Sequence, residues 1–139
     1  MVKSESRNVG MRQEEPKTDC SNYKCPFHGN LSIRGRKLTG TVISAKMRKT
    51  ATIEFDRLFY LKKYERYEKR RTKLKVHNPE CINAKEGDIT EVMECRPISK
   101  TKNFVIIRKL GLEKGFKEKM EARETSKVTQ KKEEIKEAQ

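Results

Sequence analysis

The sequence has no tryptophan and only two histidines, and its apolar runs are no longer than "FVII" at 104–107. A membrane-spanning helix needs about twenty consecutive apolar residues, so the pattern predicts no membrane partner. The first residues, "MVKSESRNVGMRQEEPK", lack the apolar core of a signal peptide, and we expect a cytoplasmic protein. With 139 residues and a hydrophobic fraction of 33%, the chain has room for one small domain with polar tails.

Catalytic motifs are also missing. The chain has no glycine-rich phosphate-binding loop of the P-loop form and no paired-acid motif. Two enzymatic alternatives can be stated: a nuclease that uses His77 among lysines, and a Cys25–His28 nucleophile pair beside Pro26, which has no visible orienting partner. We therefore expect no enzymatic activity, no catalytic residue and no small-molecule substrate.

The four cysteines, in a chain without a secretory signal, are expected to be thiols or metal ligands. Cys20, Cys25 and His28 have a spacing that could provide part of a zinc site, completed by Cys81 or Cys95. The alternative is four reduced thiols, with Cys95 at the end of a strand in the core. Because the spacing matches no compact ligand set, we favour reduced thiols and expect no metal or other cofactor.

Positive charge dominates and is concentrated in the middle of the chain. The formal net charge is +14, from 34 Lys and Arg against 20 Asp and Glu. Residues 1–33 and 113–139 carry only +1 each, whereas residues 34–112 carry +12. The excess charge thus belongs to the folded part rather than to a basic arm, and it predicts a polyanionic partner.

Short alternating segments predict an all-β fold. The five candidate strands are residues 37–46, 50–56, 72–78, 87–95 and 103–110. In 50–56, Ala51, Ile53 and Phe55 point to one face and Thr52, Glu54 and Asp56 to the other; in 72–78, Leu74 and Val76 are expected to point inward and Lys73, Lys75 and His77 outward. Gly40 suggests a bend or bulge in the first strand, and the broken two-residue period of the fourth strand suggests another bulge. Without helical patterns between most of these strands, a small closed barrel is favoured over a parallel sheet, because closure removes exposed edges.

Two segments allow more than one interpretation. Tyr60, Tyr64, Tyr67 and Arg71 have a spacing that fits a helical stripe, but we slightly favour an extended hairpin for residues 60–71. Residues 1 to about 18 read as a flexible tail. Residues 112–139 are rich in Glu, Lys and Ala and are capable of forming a helix, although they are too polar to be a stable helix alone.

Basic segments of the predicted barrel suggest nucleic-acid binding. "YLKKYERYEKRRTKLK" at 60–75 combines eight cations with three tyrosines and two glutamates. Cations bind phosphates and release counterions, while aromatic rings stack on unpaired bases. "RPISKTK" at 96–102, with a turn expected at Pro97, and "KMRK" at 46–49 add further basic loops. An ordinary solvated polar surface is the alternative for each of them.

Four separated motifs resemble a known family. "KCPFHGNLSIRGR" at 24–36, "KYERYEKRR" at 63–71, "HNPECINAKEGD" at 77–88 and "GDITEVMECRPISKTKNF" at 87–104 occur in order. The chain closely resembles the universal small-subunit ribosomal protein seventeen family over about residues 18–110, and its motifs are most similar to the archaeal members. The resemblance implies an OB-fold barrel that binds small-subunit rRNA early in assembly, as a scaffold without catalysis and beside neighbouring ribosomal proteins.

With this resemblance, we expect an N-terminal extension at 1–33, an rRNA-binding OB-fold domain at 34–110 and a charged extension at 111–139. The alternative function is a free OB-fold RNA-binding or translation factor. Tyr60 is expected to face the protein. The expected rRNA-binding residues are Arg34, Arg36, Lys46, Arg48, Lys49, Lys62, Lys63, Tyr64, Arg66, Tyr67, Lys69, Arg70, Arg71, Lys73, Lys75, His77, Arg96, Ser99, Lys100, Thr101 and Lys102.

Overall fold

The computed structural model describes residue 16 and residues 18–137, the last eleven by their backbone alone. The predicted flexible tail at 1–18 lies almost entirely outside the described residues. The elements are β1 (Ile33–Ser44), β2 (Thr50–Leu61), β3 (Arg66–His77), β4 (Asp88–Ser99), β5 (Lys102–Leu112) and α1 (Phe116–Glu137), with a 3₁₀ turn at Lys62–Tyr64. Among the described residues, no helix has the length and apolar character needed to cross a membrane.

The five strands close into a barrel in the order β1-β2-β3-β5-β4. All neighbouring pairs are antiparallel except β3 and β5, which run parallel. The predicted all-β, five-stranded OB-fold barrel is therefore confirmed. The strands are longer than the sequence pattern indicated, because β2 and β3 continue well beyond the barrel.

The core receives one fully buried aliphatic side chain from each strand. Val42, Ile53, Val76, Val92 and Ile106 are all 0% exposed and form a single cluster. Burying a side chain of this size stabilises the folded state by about 1.5–3 kcal/mol. The barrel therefore depends on contacts that bring all five strands together.

The segment with two interpretations is a hairpin. β2 and β3 pair continuously from Thr50↔His77 to Leu61↔Arg66. Glu65, with φ 49°, turns the chain in the left-handed region at the tip. Tyr60 and Tyr67 are cross-strand partners rather than neighbours on a helical stripe. The helical alternative for 60–71 is therefore wrong.

Irregularities in β1 and β4 have local causes. β4 shifts register against β5 at three places, including between Glu91 and Val92, which confirms the predicted bulge. β1 shifts register between Val42 and Ser44 against β2 and between Ile33 and Lys37 against β4, so the bulge expected at Gly40 is wrong. Gly40 instead lies where β1 and β2 approach closely: a Cβ atom there would lie 2.8 Å from the carbonyl oxygen of Glu54 on β2. The turn expected at Pro97 is wrong, because Pro97 lies within β4 and Lys100–Thr101 forms the tight turn into β5.

Both extensions contact the barrel. Cys25, Phe27 and Leu31 are 0%, 3% and 1% exposed, so the part of the N-terminal extension that they occupy is packed rather than a free tail. At the other end, the ring of Phe116 lies against Gly87, and Arg123 of α1 pairs with Glu54 at 2.9 Å. α1 therefore contacts the barrel through its first two turns. The predicted helix-forming capacity is confirmed, and the sequence-based domain boundaries stay a prediction.

Candidate nucleic-acid interface

The outer half of the β2–β3 hairpin projects from the barrel as a two-stranded ribbon. Residues 56–61 and 66–71, here called the basic ribbon together with the tip at 62–65, pair only with each other. Large apolar side chains are exposed on it: Leu58 is 65%, Tyr64 62% and Tyr67 68% exposed. Two-stranded ribbons are marginally stable in water, and this one exposes aromatic surface as well. The geometry is that of a surface that receives a partner.

The aromatic rings of the ribbon are arranged by contacts with each other and with cations. The rings of Tyr60 and Tyr67 have centroids 5.2 Å apart, and the guanidinium of Arg70 lies 4.1 Å from the centroid of Phe59. Tyr60 is 45% exposed, less than Tyr64 or Tyr67, although it does not turn fully toward the protein. Tyr64 and Tyr67 present more ring surface for stacking on bases.

Most of the cations expected at the interface have no acidic partner. Of the sixteen Lys and Arg residues predicted to bind rRNA, four lie within 4.0 Å of a carboxylate: Lys49, Arg70, Arg71 and Lys73. In the part of the chain that the structure describes, no ion pair is found for the other twelve: Arg34, Arg36, Lys46, Arg48, Lys62, Lys63, Arg66, Lys69, Lys75, Arg96, Lys100 and Lys102. Their charge is thus available to an external anion.

Two cross-strand pairs place like charges opposite each other. Arg57 faces Arg70 in the ribbon, and Lys75 faces Lys102 where β3 and β5 close the barrel. Like charges directly opposite each other destabilise a sheet, so these two pairs do not contribute to the stability of the isolated protein. Arg57 did not appear among the sequence-based candidates because the alternation used to define the second strand ended at Asp56.

Other candidates lie in loops and near the ends of strands of the barrel. The β1–β2 loop exposes Lys46 and Arg48, and the Lys100–Thr101 turn is exposed beside Ser99. Near the start of β1, Ile33 pairs with Cys95, and Arg34 on β1 and Arg96 on β4 flank this pair. The Nζ of Lys102 lies 3.1 Å from Oγ1 of Thr50, so the start of β5 lies beside the end of the β1–β2 loop.

His77 is the exception among the predicted contacts. We expected its ring to point outward, but the residue is 2% exposed, so that prediction is wrong. Its Nδ1 lies 3.1 Å from the carbonyl oxygen of Lys49 and therefore donates, while Nε2 accepts from the Asn22 side chain at 3.1 Å. Burial, followed by the nearby Lys102 charge, lowers the pKa of His77. A neutral, buried and fully bonded ring serves neither as an RNA contact nor as the base of a nuclease.

Carboxylates lie mainly on other faces and pair with other cations. Glu91 accepts from Arg108 at 2.6 Å, and Asp88 lies 3.4 Å from Lys109. A 2.6 Å hydrogen bond from Lys119 to Glu113 lowers the pKa of that carboxyl group. The acids therefore leave the ribbon tip and the β4–β5 turn positively charged.

Four side chains from distant parts of the sequence converge beside the barrel. The ligand atoms of Cys20, Cys25, His28 and Cys81 lie within 4.8 Å of one another and could hold a metal ion. Cys95 is not among them: it is 7% exposed in the core with Leu31 and Val105, as expected for a structural thiol, and burial raises its pKa. The sequence left Cys81 and Cys95 as alternatives for the fourth ligand, because both follow His28 only after the first three strands. The structure brings Cys81 to the cluster.

Two of these thiols affect each other's protonation. The S–H of Cys81, followed by backbone N–H groups of His28 and Phe27, lowers the pKa of Cys25 despite its burial. The same sulfur contact raises the pKa of Cys81. Burial raises the pKa of Cys20, which the Asn22 amide partly opposes. The backbone thus favours a thiolate at Cys25.

Fold and surface together define a small OB-fold barrel with an exposed basic ribbon. Comparison with known proteins identifies the family: residues 40–108 match the family Ribosomal protein S17. A protein of Methanocaldococcus jannaschii named "Small ribosomal subunit protein uS17" is 55% identical over 106 residues, which are 76% of this chain and 91% of the relative. Proteins of the same name from Methanococcus vannielii and Methanoculleus marisnigri are 52% and 48% identical over 102 residues, each covering 73% of this chain and 94% of the relative. The chain belongs to the ribosomal protein S17 family, whose members are structural and not enzymes.

Proposed function

We propose that this protein is a structural constituent of the small ribosomal subunit in the cytoplasm and binds the rRNA of that subunit directly. The names of its archaeal relatives place those proteins in the small subunit. The observation that carries the RNA-binding role is the basic ribbon, where exposed tyrosines lie beside cations. Arg70 and Arg71 have a carboxylate within 4.0 Å, but among the described residues no ion pair is found for the other cations of the ribbon, which are Arg57, Lys62, Lys63, Arg66 and Lys69.

The mechanism follows from charge and shape. Folded RNA brings phosphates close together at a high electrostatic cost, and cations fixed on a rigid scaffold lower that cost without many mobile side chains to order. Tyr64 and Tyr67 are placed to stack on unpaired bases. The barrel itself provides no catalytic group, so its contribution is to hold these side chains at fixed separations while the subunit assembles and during translation.

The proposed contact surface keeps the predicted residues apart from His77, which is buried, and adds Arg57. Neighbouring small-subunit proteins are the second class of partner. The exposed apolar side chains of the ribbon, such as Leu58, suit a protein neighbour as well as the face of a base.

Sedimentation of cell extract tests the proposal. The protein should occur in small-subunit fractions at one copy per subunit and should remain there after a high-salt wash. A free RNA-binding or translation factor would instead leave the subunit in high salt and bind unstructured RNA as tightly as folded rRNA. Finding the protein mainly in the soluble fraction would refute the ribosomal role.

A further inference from the structure

The convergence of Cys20, Cys25, His28 and Cys81 has a geometry that the RNA interface does not explain. Nδ1 of His28 lies 3.5 Å from Sγ of Cys20 and 3.7 Å from Sγ of Cys25, and the sulfurs of Cys25 and Cys81 are 3.6 Å apart. All four ligand atoms fall within 4.8 Å of one another.

Three of the six separations among these ligand atoms match the edges of a tetrahedron around one metal ion. With Zn–S bonds of about 2.3 Å and a Zn–N bond of about 2.0–2.1 Å, a regular tetrahedron has S···S edges of about 3.8 Å and S···N edges of about 3.6 Å. The three measured separations differ from these edges by only about 0.2 Å or less. A disulfide is a poor description, because its sulfurs lie about 2.05 Å apart and all four cysteines are free.

A neighbouring carboxylate orients the imidazole of His28 toward the three sulfur atoms of the cluster. The side chain of His28 is 1% exposed, and its second nitrogen, Nε2, lies 3.3 Å from Oδ1 of Asp19. A carboxylate on the far nitrogen fixes the tautomer that presents Nδ1 to a metal. A carboxylate–histidine pair of this kind is common around protein-bound zinc.

We propose that Cys20, Cys25, His28 and Cys81 bind one Zn²⁺ ion in a structural site. Binding replaces the protons of three thiols, which pass to the buffer, and needs no oxidant or reductant. Three thiolates and a neutral imidazole give the occupied site a net charge of −1. Thiolate and imidazole ligands suit zinc rather than magnesium or calcium, and four protein ligands leave no open position for catalysis.

The site would fasten the N-terminal extension to the barrel. Cys20, Cys25 and His28 belong to the extension, whereas Cys81 lies in the loop between β3 and β4. Cys25 and Cys81 are separated by 56 positions, so holding them together closes a long loop at an entropic cost that metal binding would offset. Thr18 adds a 2.8 Å hydrogen bond to the carbonyl oxygen of Cys81 at the same junction.

Metal analysis of the full-length chain tests this site. After refolding with excess Zn²⁺ under reducing conditions and gel filtration, mass spectrometry should find one zinc per chain. With Co²⁺ in its place, absorption should show thiolate-to-cobalt charge transfer and the visible bands of tetrahedral cobalt. Less than about a tenth of an equivalent of zinc, an octahedral cobalt spectrum, or the spectrum of an iron–sulfur cluster in protein isolated from cells would each overturn the proposal.

Cysteine substitutions supply matched controls. Cys81 and Cys95 are similarly buried, at 9% and 7% exposure, but only Cys81 belongs to the cluster. Cys81→Ala should lose stoichiometric zinc, and Cys95→Ala should retain it. Cys20→Ser tests a more exposed ligand at lower risk to folding, and Asp19→Ala should weaken zinc binding by about tenfold. Equal zinc content in Cys95→Ala, Cys81→Ala and Cys20→Ser would exclude this set of ligands.

Discussion

Removing two cations from the tip of the basic ribbon should weaken RNA binding in a way that depends on salt. Lys62 and Lys63 lie in the 3₁₀ turn of the tip, both exposed, and no ion pair is found for either among the described residues. The ammonium group of Lys63 lies over the ring of Tyr64, at 5.3 Å from its centroid. Replacing both with alanine should change stability by no more than about 0.5 kcal/mol, as for exposed surface positions generally.

The magnitude follows from counterion release. Each cation that neutralises a phosphate of single-stranded RNA contributes about 0.7 to the slope of log affinity against log salt. Losing two contacts should reduce that slope by about 1.4. Raising the salt from about 50 to about 200 mM weakens the binding of both proteins. The factor by which the wild type loses affinity should be about seven times the factor for the double variant.

The assay is equilibrium binding of purified protein to folded small-subunit rRNA over a series of salt concentrations. The control replaces Lys109 and Lys119 with alanine, which makes the same change in net charge. These lysines already face Asp88 and Glu113 at 3.4 and 2.6 Å. Thermal melting followed by circular dichroism should show that the tip variant keeps its barrel.

Comparison of the two variants decides the outcome. If only the tip variant loses about 1.4 units of slope, its lysines contact phosphates directly. Equal changes in slope would mean that RNA responds to net charge alone, and the proposed role of the ribbon would then be wrong. An unchanged slope in the tip variant would show that Lys62 and Lys63 do not contact RNA phosphates.

The remaining predictions concern the barrel. Ile53→Ala, at a side chain that is 0% exposed, should lower the free energy of unfolding by about 2–5 kcal/mol in urea titrations, and a loss below 1 kcal/mol would contradict its place in the core. Gly40→Ala should cost about 1–3 kcal/mol because the new Cβ would meet the Glu54 carbonyl at 2.8 Å, whereas Gly111→Ala has open space and should be much milder; equal losses would refute this steric reason. Burial lowers the folded-state pKa of His77 below its usual value of 6.5, so the unfolded chain binds more protons than the folded one as the pH falls. The contribution of His77 to the free energy of unfolding should therefore be constant above about pH 6.5 and decline as the pH falls toward the folded-state pKa. Replacing His77 with Gln should flatten that decline in melting experiments, and identical pH profiles would exclude the effect.

The sequence predicted the barrel because each strand carries a periodic signal. Ala51, Ile53 and Phe55 alternate as a half-buried strand should, and the continuous run at 104–107 indicated a strand buried on both faces. The bulge in β4 could also be anticipated, because a break in the two-residue period has few other causes. These features are local, so a single sequence was sufficient to find them.

The features that the sequence did not predict depend on contacts between distant segments. Periodicity placed His77 outward, but Asn22 and the Lys49 carbonyl cover its ring from parts of the chain that no local pattern connects to it. Glu54 likewise alternates outward, yet its side chain is only 10% exposed because Arg123 of α1 lies over it. The same limit left the fourth ligand of the cysteine cluster undecided between Cys81 and Cys95, because both lie far from His28 along the chain.

The parallel pairing of β3 with β5 has a consequence for the order of folding. Lys75 meets Lys102 only when the fifth strand is available, and β1 must reach β4 across some sixty residues to pair Ile33 with Cys95. Such non-local contacts slow folding, whereas the β2–β3 hairpin needs only its own neighbouring residues and forms within microseconds. We therefore expect the pairing of β2 with β3 to begin before the barrel closes.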